Sequence, residues 1–337
     1  MDEFGSAENL TSHSIVGKTA SESVGLRAGV EPADRAFAVD TRSFPSFFIV
    51  GPPRTGSSWL YEILSCHAVL PAPSKETRFF DIHFERGFKW FLAHYKNCST
   101  ERRMGEIAPT YFASSLARER LSQMVPDARI ICVFRNPAER IVSLYRLKRA
   151  YGLIPWNFEE AMERDPELME TSRYAGNLKL WRRSFGAGNV LASIYDDLRE
   201  SPQDFVNRLV DFIGIPRFML KASQLGSVHD SERMTHPRSY SRTRSALVMA
   251  DWFKSKRLDR VVSAFKRSSL CKFVLGGGEP FPPVPTEVVR QLYEKFRPEV
   301  EELEGLLHRD LSLWKFPKAG TGGGIETLIG KGARADQ

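Results

Sequence analysis

No run of about 18 apolar residues occurs in this sequence, so no segment has the length and composition of a transmembrane helix. Its first residues, MDEFGSAENLTSHS, also lack the basic start and the apolar stretch that together mark a signal peptide. We therefore expect a cytoplasmic protein without a membrane span.

Cysteine is scarce as well. The chain of 337 residues has four cysteines, which are widely separated and form no CxxC pair, and no histidine cluster lies at metal-ligand spacing. We therefore expect neither a disulfide framework nor a metal site. Cys132 lies in the apolar run IICVF and is predicted to be a buried, reduced thiol.

Basic residues outnumber acidic ones, 48 to 41, which gives a formal net charge of +7. A basic protein suits an anionic ligand such as a nucleotide, a polyphosphate, a nucleic acid or an acidic sugar. The net charge does not choose among these ligands.

Polar tails enclose a central region. Residues 1–43 are rich in Ser, Ala and Gly and lack sustained periodicity, which predicts a disordered tail. Residues 318–337 contain the run GTGGG and are predicted to be a flexible tail. Residues 44–317 remain, and we expect them to form one domain.

Strand and helix patterns alternate within that domain. Short apolar runs rich in aromatic and β-branched residues predict buried strands at 46–50, 128–134 and 189–195. Helical spacing of apolar residues predicts helices at 57–67, 138–150, 156–163, 168–184, 202–213, 245–266 and 286–311. Buried strands separated by amphipathic helices indicate an α/β fold with a central parallel sheet flanked by helices.

The most informative local feature is a loop between a strand and a helix, GPPRTGSS at 51–58. A glycine-containing loop that enters a helix presents several unbonded backbone N–H groups to an anion. Gly56 allows close approach of a phosphate, Ser57 and Ser58 add hydroxyl donors, and Arg54 adds a cation with several N–H groups. This pattern favours a phosphate-binding loop.

The loop departs from the Walker A pattern, GxxxxGK[ST]. Gly51 and Gly56 have the required separation and Ser58 matches the last position, but Ser57 replaces the lysine that binds β/γ-phosphates. The second predicted strand ends in Arg135, where a nucleoside triphosphatase commonly has a metal-supporting aspartate. The sequence therefore predicts that phosphates bind at the carboxyl ends of the strands without a magnesium ligand set.

Four segments, in this order, resemble those of the sulfotransferases that use 3′-phosphoadenosine 5′-phosphosulfate (PAPS). GPPRTGSSWL resembles the family's 5′-phosphosulfate loop, SKETRFFD and MGEIAPTYF resemble stretches of bacterial and heparan-sulfate-type members, and IICVFRNPAERIVSLY resembles the 3′-phosphate segment. The resemblance spans 45–316. It implies a P-loop-containing nucleotide-binding fold and transfer of a sulfuryl group from PAPS to a hydroxyl or amine. It also implies 3′-phosphoadenosine 5′-phosphate (PAP) as the product and no required metal.

The resemblance also assigns residues that bind the donor. Arg54 stands where the family has Lys or Arg and would stabilise charge on the departing phosphate. Arg135 and Ser143 match the pair that binds the 3′-phosphate. The residues implied for the 5′-phosphate are Thr55, Gly56, Ser57, Ser58 and Trp59.

A basic loop in the third quarter of the chain is the other implied donor contact. Family members close such a loop over the 3′-phosphate, and Arg238, Arg242 and Arg244 are its candidates here. Of these three arginines, we include Arg238 in the predicted site.

A base is needed because a hydroxyl is a poor nucleophile until it loses its proton. Glu76, in KETRFF, matches the glutamate proposed as the general base of the heparan-sulfate-type enzymes. An ordinary surface pair between Glu76 and Lys75 is the alternative interpretation. His67 and His83 are other candidate bases.

The third motif departs from the heparan-sulfate-type pattern. Those members have Glu-Lys where this chain has Glu106-Ile107, so the contribution of that lysine is missing or comes from elsewhere, for which Lys75 is the candidate. Glu106 itself could hold Arg54, line the acceptor pocket or form a buried structural ion pair.

Two other classes of protein stay open on sequence alone. A P-loop kinase or NTPase is disfavoured by the missing Walker lysine, and a non-catalytic polyanion-binding protein would not need both a phosphate loop and Glu76. We expect a carbohydrate, lipid or small natural product as acceptor and no nucleic acid partner. The sequence does not indicate the acceptor's identity or the oligomeric state.

Overall fold

Parallel strands form the centre of the molecule. The computed structural model describes residues 44–95, 102–226, 235–237, 239–255 and 278–317, and within these it contains one four-stranded sheet. Its strands are β1 (Phe47–Gly51), β2 (Gly105–Ile107), β3 (Arg129–Phe134) and β4 (Val190–Ile194). They lie in the order β2–β1–β3–β4, and each neighbouring pair is parallel. The three predicted strands are confirmed, and so is the parallel sheet.

Strand β2 was not predicted. It has only three residues, and the run Gly105-Glu106-Ile107 lacks the β-branched and aromatic pattern on which strand prediction relies. Its pairing with β1, which places Phe48 opposite Glu106, makes it a strand. Tertiary packing therefore decides its structure.

Both faces of the sheet are covered by apolar side chains. Along β1, Phe48 and Val50 join the buried cluster on one face, and Phe47 and Ile49 join the cluster on the other. Successive side chains of a strand point to opposite faces, so a strand buried on both sides needs a continuous apolar run. The run FFIV meets that need.

Helices surround the sheet, and the described residues form three buried clusters. The helices are α1 (Ser57–Leu64), α2 (Gly87–Leu92), α3 (Ser115–Met124), α4 (Pro137–Ala150), α5 (Phe158–Arg164), α6 (Pro166–Glu170), α7 (Tyr174–Phe185), α8 (Tyr195–Glu200), α9 (Pro202–Ile213), α10 (Ala222–Gly226), α11 (Tyr240–Ser255) and α12 (Thr286–Leu307). One cluster joins the sheet to α3, α7 and the second half of α12, and a second joins it to α1, α8 and α9. The third cluster packs α4, α5 and α6 against the first half of α12.

The prediction of one helix at 168–184 is wrong, because the chain forms two helices there, α6 and α7. Arg140 of α4 explains the break: its Nη2 donates to the carbonyl of Leu168 (2.7 Å) and its Nε donates to Ser172 Oγ (2.8 Å). The amide of Ser172 turns to the carbonyl of Met169 (2.9 Å) instead of continuing the helix. A contact distant in sequence therefore interrupts a helical pattern.

Other predictions differ in extent or fall outside the described residues. Helix α3 was not predicted, since it buries only Ala117 and Leu121 and its apolar stripe is narrow. Helix α11 begins five residues before the predicted start at 245, and the remainder of that predicted helix lies outside the described residues. Arg238 and both predicted tails, 1–43 and 318–337, also lie outside them. Of the helices that are described, none is long and apolar enough to cross a bilayer.

Candidate active site

The predicted phosphate loop joins the carboxyl end of β1 to the start of α1. Gly51 (φ +99°) and Gly56 (φ +88°) adopt left-handed backbone conformations, which glycine tolerates best. Thr55 Oγ1 donates to the carbonyl of Pro52 (2.7 Å) and closes the loop on itself. Gly56 precedes α1 and has no side chain to cap it, so the first amides of the helix are presented to an anion.

Replacing Gly51 with alanine is expected to lower the free energy of unfolding by about 2 kcal/mol or more. A Cβ at this position would lie 2.6 Å from Pro109 Cα, and a left-handed φ disfavours any side chain. Chemical denaturation measures the change. Gly188→Ala is the matched control, since a Cβ there meets nothing within 4 Å. Equal losses in the two variants would contradict the expectation.

Arg54 connects this loop to the segment predicted to bind the 3′-phosphate. Its Nε donates to Ser143 Oγ, 2.9 Å away on α4. Helix α4 starts immediately after β3, and Asn136 caps it by accepting a hydrogen bond from the amide of Ala138 (3.0 Å). Arg54 and Ser143 are 89 residues apart along the chain. Their segments therefore meet at the carboxyl ends of neighbouring strands.

Tyr195 lies between the same two segments. A Cβ added to Gly56 would lie 3.3 Å from Tyr195 Cε2, and the guanidinium carbon of Arg135 lies 5.0 Å from the centre of the Tyr195 ring. Sequence reasoning missed Tyr195. It directly follows β4, so the rule that ligands bind at strand ends could have identified it.

Arg135 is held in place on two sides. Its Nε and Nη2 donate to Glu139 Oε2 (3.3 and 3.2 Å), and its carbonyl accepts a hydrogen bond from the hydroxyl of Tyr174 (2.9 Å). The ring of Tyr195 adds a cation–π contact. The guanidinium therefore has a defined position near the phosphate loop at 51–58, which is called the donor loop below.

Lys75 joins the predicted base to the donor loop. Its Nζ donates to Ser58 Oγ (3.1 Å), at the start of α1, and lies 3.3 Å from Glu76 Oε1. The side chain of Glu76 is only 3% exposed, so the pair is not an ordinary surface salt bridge. The structure brings Glu76, Lys75 and the loop together.

Glu106 is fully buried and is bound by neutral groups. Its Oε1 accepts hydrogen bonds from the amide and from Oγ1 of Thr77, both at 2.7 Å, and the hydroxyl of Tyr111 donates to Oε2 (3.4 Å). Of the alternatives considered from the sequence, a pairing with Arg54 or with another cation is not formed among the described residues. Burial raises the pKa of Glu106 to about 8, with the hydrogen bonds from Thr77 opposing the rise.

This raised pKa is expected to make the protein less stable as the pH rises through about 8. The folded protein holds the proton of Glu106 more tightly than the unfolded chain. The resulting stabilisation is complete below the ordinary pKa of 4.5 and is lost as the pH passes about 8. Glu106→Gln cannot ionise. The melting temperature of this variant minus that of the wild type should therefore increase by on the order of 5 °C between about pH 5 and about pH 9. A pH-independent difference would contradict this expectation.

Trp59 and the two candidate histidines have other surroundings. Trp59 Nε1 donates to the carbonyl of Gln224 (2.8 Å), so the indole ties α1 to α10. His67 follows the end of α1, about 12 Å along the helix from the loop, and stacks on Phe218 with 3.6 Å between ring centres. The remaining candidate, His83, packs edge-on against Trp90, and its pKa is lowered to about 4, mainly by burial.

The structure also bears on the predictions for cysteine, for metal binding and for two arginines of the basic loop. Cys132 is a buried free thiol, as predicted, and burial raises its pKa. No group of three His, Cys, Asp or Glu side chains that could hold a metal ion occurs in the described part of the chain. Arg242 and Arg244 lie exposed on α11.

Comparison with known proteins identifies the family. The family model described as the sulfotransferase domain matches residues 44–265, about two-thirds of the chain. The chain belongs to the sulfotransferase family.

Similar sulfotransferases include enzymes named for heparan sulfate. Heparan sulfate glucosamine 3-O-sulfotransferase 6 of Homo sapiens is 30% identical over 199 residues, which cover 57% of this chain and 58% of that protein. The bifunctional heparan sulfate N-deacetylase/N-sulfotransferase 1 of Xenopus tropicalis is 29% identical over 199 residues, which cover 52% of this chain and 23% of that protein. This sulfotransferase therefore spans less than two-thirds of either relative.

A solved sulfotransferase from Alicyclobacillus acidocaldarius has the same fold. The two structures superpose with a TM-score of 0.58 at 21% sequence identity, over 81% of this chain and 99% of the other. The predicted fold class, a parallel sheet flanked by helices of the P-loop-like type, is thereby confirmed.

Proposed function

We propose that this sulfotransferase moves a sulfuryl group from PAPS to a hydroxyl or amine of a carbohydrate or small-molecule acceptor and releases PAP. The contact between Arg54 and Ser143 carries the proposal, because it joins the loop assigned to the 5′-phosphosulfate with the helix assigned to the 3′-phosphate. A nucleotide with two separate phosphate groups suits two adjoining anion sites.

The donor groups at these sites fit phosphates. Backbone amides of α1 and the hydroxyls of Ser57 and Ser58 would bind the 5′-phosphate, with Arg54 beside them. Arg135 and Ser143 would bind the 3′-phosphate. Arginine forks and hydroxyls bind phosphate oxygens directly, without a bridging cation.

The proposed reaction forms a bond between the acceptor oxygen or nitrogen and sulfur while the bond from sulfur to the 5′-phosphate oxygen breaks. Glu76 would take the acceptor's proton, and Arg54 would stabilise the charge left on the departing phosphate. Lys75, which contacts both Ser58 and Glu76, would orient the base against the donor loop.

The names of two relatives support a carbohydrate acceptor, since both refer to heparan sulfate. Ile107, in place of the lysine of the heparan-sulfate-type motif, argues for an acceptor that differs from theirs. A small-molecule acceptor therefore stays within the proposal.

Purified protein tests the proposal with radiolabelled PAPS and a panel of acceptors: heparan sulfate, heparan sulfate with free amines, a phenol and a fatty alcohol. We expect transfer to at least one acceptor and calorimetric binding of PAP. Magnesium-dependent turnover of ATP would instead favour a kinase or NTPase. Binding to polyanions that weakens steeply with salt, without PAP binding, would favour a polyanion-binding protein.

Two further points stay predictions from the sequence. They are the cytoplasmic location and the participation of Arg238 in closing over the 3′-phosphate.

A further inference from the structure

A buried carboxyl group holds the segment that carries Glu76. Glu106 lies on β2, and its Oε1 accepts hydrogen bonds from both the main chain and the hydroxyl of Thr77, the residue after Glu76. Its Oε2 accepts a hydrogen bond from Tyr111. One side chain of the sheet therefore controls the position of the main chain next to the proposed base.

The same network binds the next turn of the segment. The amide of Phe79 donates to Thr77 Oγ1 (3.1 Å), and the amide of Phe80 donates to the hydroxyl of Tyr111 (3.3 Å). Arg78, between Thr77 and Phe79, has a φ of +53°, which a residue with a side chain rarely adopts. The unfavourable turn persists because the side chains around it bind its amides.

We propose that Glu106 is a positioning residue: its carboxyl group, through Thr77 and Tyr111, fixes the main chain that aims Glu76 at the donor loop. The inference rests on the proposed function, because Glu76 acts as a base only if the chain transfers sulfuryl groups. It concerns a residue that touches neither the donor loop nor the reacting atoms.

The charge state of Glu106 determines which substitution preserves this role. The charges that act on it are those of Glu76 and Asp81, both of which add to the effect of burial in raising its pKa to about 8. Near neutral pH the group is therefore mostly protonated and serves as a neutral hydrogen-bond acceptor for Thr77. Glutamine keeps that acceptor, whereas leucine removes it at similar size.

Glu106→Leu and Glu106→Gln test the proposal as a pair. The activity readouts are transfer from radiolabelled PAPS to the acceptor of the panel above that the wild type sulfates fastest and hydrolysis of PAPS without an acceptor. We expect Glu106→Leu to lower kcat about 100-fold while the Kd of PAP stays unchanged, because a displaced base slows the reaction without altering the donor loop. Glu106→Gln should restore kcat close to that of the wild type.

Hydrogen exchange gives a second readout that does not depend on activity. Peptides covering 76–80 should exchange faster in Glu106→Leu than in Glu106→Gln, because the amide of Thr77 loses its acceptor. Should Glu106→Leu fail to fold, Thr77→Val serves instead, with an expected loss of about 10-fold in kcat. Its matched control is Thr171→Val, a buried threonine directly after α6 whose hydroxyl donates to the carbonyl of Glu167.

The outcomes separate the two proposals. Wild-type protein without transfer or hydrolysis would refute the proposed function, and this inference with it. Active wild-type protein would overturn the inference alone under any one of three results: Glu106→Leu keeps its kcat, Glu106→Gln loses as much as Glu106→Leu, or Thr77→Val behaves like Thr171→Val.

Discussion

Replacing Glu76 with glutamine is expected to reduce sulfuryl transfer by about 100-fold or more while leaving the affinity for PAP unchanged. Glutamine has the shape of the glutamate but cannot take a proton from the acceptor. The structure makes this substitution informative because Glu76 is buried beside Lys75, and Lys75 also contacts Ser58 of the donor loop. The measurements are the initial rate of transfer from PAPS and the Kd of PAP by calorimetry.

The control for this variant is Glu287→Gln, which changes an exposed glutamate at the start of α12. It should leave both quantities as they are in the wild type. Transfer retained in Glu76→Gln would reject Glu76 as the base. A large loss of PAP affinity would instead indicate that Glu76 acts by shaping the donor loop.

Arg54→Ala and Arg135→Ala are each expected to weaken PAP binding, by about 10-fold or more, because each removes a charged donor to a phosphate. They should differ in kcat. Arg54 lies at the loop assigned to the departing phosphate, so its loss should lower kcat by a further factor of about 100. Arg135 lies at the other phosphate, where charge does not develop, so its loss should act mainly on binding.

Arg54→Lys and Arg217→Ala are the controls. Lysine keeps the positive charge but loses the guanidinium fork that donates to Ser143, so an intermediate effect is expected. Arg217 is an exposed arginine paired with Asp211, and its loss should change neither binding nor turnover. Equal kcat values in Arg54→Ala and Arg135→Ala would reject the assignment of the two arginines to different phosphates.

The inner strands could be predicted because each is an apolar run long enough to be recognised. Phe47 to Val50 must be apolar at every position, since the sheet is covered on both faces. Strand β2 lacks this signal, being three residues long and containing Glu106. The split between α6 and α7 lacks one too, because it depends on Arg140 from another helix.

The candidate site divides in the same way. The donor loop and its residues from Arg54 to Ser58 are local in sequence, so their glycines, hydroxyls and arginine could be recognised there. The hydrogen bonds of Glu106 could not, because Thr77 and Tyr111 come from segments outside β2 that pack around its carboxyl group. For Glu106 the sequence left open a pairing with Arg54, a place in the acceptor pocket and a buried ion pair, and in the structure its carboxyl group is bound by neutral donors.

By itself the sequence determined the sheet of buried strands, the phosphate loop and the family resemblance. Each of these can be recognised in contiguous residues, because the type and spacing of neighbouring residues decide the local structure. Only the tertiary structure decided that Arg54 meets Ser143, that Lys75 joins Glu76 to the loop, and that Glu106 holds Thr77. These contacts join residues that are far apart along the chain. They form because parallel strands place their carboxyl ends at one edge of the sheet, whatever the sequence distance between them.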